Sequence, residues 1–149
     1  MKQQSIIKRD LFAIVSIAVF FLLWNIYPSI YHANKNNNNN KMETVKKYFD
    51  VWNAHDAAGL KELFDASVAL RDWDVAVSGA AEVAEANGNI FKAVPAINIE
   101  VLQIHEAKNN VFACEILVHL NNDAKEVLKV VDMIELSNGK IKAVRAYKG

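Results

Sequence analysis

Val130-Val131-Asp132-Met133-Ile134-Glu135-Leu136, then Ser137-Asn138-Gly139-Lys140, then Ile141-Lys142-Ala143-Val144-Arg145-Ala146-Tyr147, form two alternating, β-branched runs around an Asn-Gly pair. Asn and Gly tolerate the positive φ that a tight hairpin turn demands, so the stretch reads as a β-hairpin. One residue breaks the pattern. Under period-2 geometry Asp132 shares its pleat face with Val130, Ile134 and Leu136. A carboxyl group on an apolar face is desolvated there, and must be hydrogen-bonded or neutral.

Upstream of the hairpin, strand follows strand. Ile97 to Ala107 places Ile97, Ile99 and Val101 on one face, Lys108-Asn109-Asn110 reads as a turn, and Val111 to Leu120 as the next strand. Asn121-Asn122-Asp123 then turns the chain into Lys125 to Leu136. Three helices are expected before these strands. Val45, Tyr48, Phe49 and Trp52 recur at i, i+3, i+4 and i+7, the stripe of an amphipathic helix over Met42 to Ala54. Asp56 is suited to cap a short helix from Ala57 to Phe64, and a third runs from about Ala80 to Ala93, ending before Pro95. Between the second and third helices, Ser67 to Asp74 reads as a short strand with Val68, Leu70 and Asp72 on one face. Helices first and a meander afterwards make an α+β fold, in which a twisted, mainly antiparallel sheet with helices across one face encloses a cone-shaped cavity.

The start of the chain is of another kind. Leu11 to Tyr31 is predominantly apolar and meets the requirement of about 20 residues for a spanning helix. Trp24, Tyr27 and Tyr31 suit the membrane interface, and the cations Lys2, Lys8 and Arg9 precede the run, which leaves the N-terminus in the cytoplasm and the remainder outside. The expected organisation is therefore a cytoplasmic segment (1–10), a transmembrane signal anchor (11–31), an Asn-rich linker (32–41) and a domain (42–149). A cleaved secretory signal is the competing reading, disfavoured because Ala33 could end a cleavage site but bulky Tyr31 stands two places before it.

Composition removes several function classes. Seventeen basic and seventeen acidic residues give a formal net charge of zero, so no global field favours nucleic acid. The single cysteine, Cys114, lies in an apolar run and reads as a buried, inert thiol. His105 and His119 occupy separate strands without the spacing of a metal site, and His55 reads as a turn residue. No metal and no cofactor are expected.

Three pieces carry a family likeness: Lys47-Tyr48-Phe49-Asp50-Val51-Trp52-Asn53-Ala54-His55-Asp56, Val68-Ala69-Leu70-Arg71-Asp72, and the closing hairpin through Arg145-Ala146-Tyr147. Together they resemble the nuclear transport factor 2-like superfamily, particularly its SnoaL-like and ketosteroid-isomerase-like branches, over Lys41 to Tyr147. The resemblance implies a catalytic set of Tyr48, Asp72 and Asp132 facing one apolar cavity. Asp72 would move a proton between carbons, while Tyr48 and a protonated Asp132 would donate hydrogen bonds to the enolate oxygen, as in the ketosteroid isomerases, where an apolar site keeps a carboxylic acid neutral. Trp73-Asp74 stands where those enzymes commonly have a proline turn, and Lys148 where they tend to have an aromatic residue. A small apolar or amphiphilic carbonyl compound is thus expected in preference to a steroid. A ligand-binding pocket without chemistry, and a protein-interaction module, stay open beside the isomerase or cyclase reading. A homodimer through the sheet is expected from Val118, Leu120 and Val131, read as exposed apolar positions.

If residues 11–31 anchor the chain, full-length protein is expected to sediment with membranes and to resist extraction by high salt or carbonate, whereas a chain beginning at Lys41 is expected to stay in solution. Recovery of the native protein as a soluble species beginning near Asn34 would identify a cleaved signal instead.

Overall fold

The computed structural model describes residues 37–121 and 126–149, and the folded unit within them is Asn40–Gly149. The expected anchor at 11–31 lies outside the described residues. Among those described, no helix is long and apolar enough to cross a membrane.

Among the described residues the first element is α1 (residues 37–53). It starts earlier than the apolar stripe predicts and takes up Asn37 to Lys41, the last part of the expected linker. A helix nucleated on Val45, Tyr48, Phe49 and Trp52, all buried, extends backward at small cost per residue even through Asn, because nucleation is already met. Thr44 Oγ1 donates to the Asn40 carbonyl one turn earlier, at 3.1 Å. α2 (Ala57–Leu63) is capped as expected: the Asp56 carboxylate accepts from the Gly59 N–H at 2.8 Å. β1 (Phe64–Arg71) starts earlier and ends earlier than its pattern suggests, so Asp72 lies just past the strand. A short β2 (Ala76–Ser78) then pairs back on β1, and α3 (Ala80–Ala93) has the predicted bounds.

β3 (Asn98–Glu106), β4 (Val111–His119), β5 (Val127–Ser137) and β6 (Lys140–Lys148) complete one six-stranded sheet in the order β2-β1-β6-β5-β4-β3. The sheet is mixed. β6 returns to lie parallel to β1, a pairing that joins the two ends of the domain. The hairpin between β5 and β6 has Asn138 at φ 50° and Gly139 at φ 76°, the two successive positive angles of a type I′ turn. A side chain at Gly139 would meet nothing within 4 Å, so backbone conformation alone calls for glycine there.

Register shifts bend the sheet. In β3 the shift between Val101 and Gln103 leaves Leu102 as the extra residue. Val101 and Leu102 are accordingly exposed, and the predicted inward face of Ile97, Ile99 and Val101 stops at Ile99. The concave face carries Phe112, Cys114, Ile116 and Val118 from β4 and Val130, Ile134 and Leu136 from β5, all buried beneath the helices. Val118 and Leu120 correct the expected basis for a dimer: both line the interior cavity, because inward residues of β4 have even numbers. Val131 alone of the three lies on the outer face.

Two polar side chains, Asn53 on the last turn of α1 and His55 just past it, fasten this end of the helix to the start of β3. Asn53 accepts the Ile99 N–H at 2.7 Å and donates to the Ile99 carbonyl at 2.8 Å, satisfying the strand backbone as a neighbouring strand would. His55, at φ 54°, donates its Nε2–H to the Ile97 carbonyl at 2.8 Å and stacks on Phe91 with ring centres 4.6 Å apart. The structural reading of His55 accounts for all of these contacts. Replacing Asn53 with Ala leaves two part-buried backbone groups unpaired, and is expected to cost about 2 kcal/mol in urea unfolding, against a few tenths for Asn89→Ala on α3.

Candidate active site

Between sheet and helices lies a cavity of about 330 Å³. Most of its wall is aliphatic: Ile90 on α3 and Val94 just past it, Ile97 just before β3 and Ile99 on it, and Ile116, Val118 and Val130 from the sheet. Tyr48, Asp72 and Asp132, the three residues singled out from sequence, all line it.

Asp132 is placed by the alternation of β5. Its neighbours across the ladders are Cys114 on β4 and Ala146 on β6, and only 5 % of its surface is exposed. Desolvation, reinforced by the negative charge of Asp72, pushes its pKa up to about 7. Tyr48, 3 % exposed on the buried stripe of α1, packs edge-on against Phe49 and obliquely against Phe64. Burial, with smaller contributions from the Asp132 and Cys114 charges, holds its hydroxyl well above the ordinary tyrosine range, so it stays a donor. Among the described residues neither the Tyr48 hydroxyl nor the Asp132 carboxyl has a hydrogen-bond partner, and neither is a sealed orphan. Both therefore keep their hydrogen-bonding capacity for what enters the cavity.

Asp72 is held differently. It follows the last residue of β1, where its Oδ1 accepts the N–H of Asp74 at 2.7 Å and of Val75 at 2.5 Å, while its own N–H donates to the Val75 carbonyl at 2.9 Å. The carboxylate thus builds the turn into β2 with one oxygen and borders the cavity. Asp74 also borders the cavity, although the strand that would have carried it there ends at Arg71.

One further polar residue of the cavity lining escaped the sequence reading, whereas Cys114 is the buried thiol expected. Asn87 on α3, in the cavity lining, is 3 % exposed; it accepts from the Trp52 indole N–H at 2.8 Å and donates to the Val83 carbonyl at 2.8 Å. Its signal resembles that of Asp132, a polar residue at the i+4 position of a buried stripe running through Val83 and Phe91. Cys114 is fully buried, and desolvation followed by the Asp132 charge pushes its thiol up to about 12, which makes it inert. His105 and His119 pair with Glu115 at 3.2 Å and Glu100 at 3.0 Å on the outer face, away from the cavity. Among the described residues no cluster of His, Cys, Asp and Glu is arranged to hold a metal ion.

A helix-backed, curved mixed sheet around an apolar cavity defines the cone-shaped α+β class. The SnoaL-like domain family matches residues 45–144, and the chain belongs to it, within the nuclear transport factor 2-like superfamily. No functionally curated protein matches the chain. Among solved structures it is similar to a proposed polyketide cyclase from Sinorhizobium meliloti (16 % identity over 70 % of this chain and 94 % of that one, TM-score 0.64). It is also similar to a proposed ketosteroid isomerase from Kribbella flavida (17 %, 74 % and 78 %, TM-score 0.63) and to a protein of unknown function from Cytophaga hutchinsonii (11 %, 73 % and 89 %, TM-score 0.63). At these identities the likeness is one of fold.

The buried carboxyl makes stability depend on pH. Folded Asp132 keeps its proton to about pH 7, whereas an unfolded chain releases it near pH 4. Between those values the folded state binds more protons, so stability is fullest below the lower value and falls as pH rises to the upper one. Asp132→Asn removes this slope. Relative to wild type the variant is expected to gain up to about 4 kcal/mol between pH 4 and pH 8, read from urea unfolding of residues 37–149 at each pH; parallel curves would place the carboxyl in water.

Proposed function

We propose that the domain catalyses proton transfer beside a carbonyl, as an isomerase or a cyclase-type enzyme, on a small apolar or amphiphilic substrate. The observation that carries this reading is one cavity holding a carboxylate at its border and two unpartnered donors in its interior, Tyr48 and protonated Asp132. Removing a proton from the carbon next to a carbonyl requires a base over that carbon and donors aimed at the oxygen where charge develops. Asp72 takes the proton. The electron pair left on carbon moves to the carbonyl oxygen, and the enolate accepts hydrogen bonds from Tyr48 and Asp132. Asp72 then returns the proton to the same carbon, or to another for isomerisation, and the carboxylate is regenerated. Apolar walls keep water from competing for both donors. The domain performs this chemistry tethered by residues 11–31, outside the cytoplasm. A pocket that only holds its ligand is the rival reading, favoured by the capping work that Asp72 already does in its turn.

The two are separated by deuterium exchange into 2-heptanone, a neutral methyl ketone, followed by NMR in D2O. Asp72→Asn preserves the turn, since an amide oxygen accepts the same N–H groups, and is expected to lower exchange by about 100-fold or more. Asp132→Asn, still a donor, retains a larger share. Wild-type exchange should decline above about pH 7 as Asp132 ionises and ceases to donate. Exchange no faster than buffer, or unaffected by Asp72→Asn, leaves a binding pocket.

A further inference from the structure

Beside the cavity is a second recess that proton transfer does not use. β1 and β6 pair in register from Ala69 beside Ala143 to Arg71 beside Arg145. There β1 turns away through Asp72 and Trp73, while β6 continues to Lys148. The parting of two paired strands leaves a notch of about 280 Å³. Its wall carries three cations, Arg71, Arg145 and Lys148, against one carboxylate, Asp72. In a chain of formal net charge zero this is a local excess of positive charge.

The cations differ in their commitments. Arg145 Nη1 lies 3.3 Å from Glu135. Lys148 Nζ stands 5.6 Å from the centre of the Trp73 ring, which steadies the ammonium group without neutralising it. Arg71 is exposed and has no partner among the described residues. Asp72, Trp73 and Ala146 line both notch and cavity, so the two compartments share a wall. Among the described residues no Lys or Arg lines the cavity. An apolar compartment without cations thus adjoins a cationic one, at the border where Asp72 stands.

We infer that the substrate class is an amphiphile with an anionic end, its apolar, carbonyl-bearing part in the cavity and its carboxylate or similar anion in the notch against Arg71 and Lys148. This rests on the reading of the cavity as the site of proton transfer. A planar guanidinium grips two oxygens of a carboxylate at once, and the ammonium group adds a second charge-assisted contact. Anchoring at the notch fixes how far the chain reaches inward, and so which carbon lies beside Asp72.

The test uses full-length protein in neutral detergent micelles and two probes, 6-oxoheptanoate and its methyl ester, with dissociation constants from ligand-observed NMR. The anion is expected to bind about tenfold more tightly than the ester, with the advantage shrinking as salt is added. In the Arg71→Gln, Lys148→Gln double variant the ratio should fall below about twofold, while Arg71→Lys with Lys148 intact should keep a clear preference. Equal affinity in the wild type, a preference that survives the double variant, or no binding of either probe overturns the inference. Loss of deuterium exchange with the anion preference intact bears on the proton-transfer reading alone.

Discussion

The constraint that shapes the cavity is a single inward-facing carboxyl group held out of water. Strand β5 alternates strictly, and every inward position but one is aliphatic. A charge there would oppose the burial of the whole face, so Asp132 is accommodated by holding its proton to about pH 7. Three neighbours fix that outcome. Cys114 and Ala146 flank it across the ladders with no cation, and Tyr48 reaches the same region from α1 with a hydroxyl that is itself kept protonated. A lysine at either flanking position would have stabilised the anion and made a buried ion pair of the site; the small, uncharged residues present make it a donor.

What the sequence makes legible is what local pattern encodes. The Asn138-Gly139 turn, the Asp56 cap, the bounds of α3 and the inward face of Asp132 follow from short-range rules, and the structure agrees at each. The three residues brought to one cavity were found through family likeness joined to strand parity. The departures have physical causes. Asn-rich residues 37–41 read as linker because Asn has low helix propensity, yet propagation from a packed stripe overrides it. The Leu102 bulge reverses which residues of β3 face inward, and no alternation rule foresees an inserted residue. The parallel pairing of β1 with β6 leaves no mark in either strand, because the contact depends on the rest of the sheet. Asn87 and the cationic notch escaped for the same reason: their meaning comes from partners remote in sequence, Trp52 for one and the divergence of two strands for the other.

Under the proposed reaction, Asp72 would serve two ends with one side chain. As the organiser of its own turn it has a fixed orientation, with one oxygen occupied by backbone N–H groups. A group held in this way needs no reorganisation before it acts, and confinement to a productive geometry is a large part of what a protein contributes to proton abstraction.

The parallel β1–β6 pair also bears on the order in which the domain is expected to assemble. The β5–β6 hairpin is local and closes through a two-residue turn, whereas Arg71 and Arg145 lie about half the chain apart, and loop closure delays contacts of that kind. The hairpin is therefore expected to form first, while Asp132 still faces water and, at neutral pH, is ionised. On this order the carboxyl enters the core only when the helices close over the concave face. That late step is expected to take up a proton from solvent, so that refolding should slow as pH rises while formation of the hairpin should not.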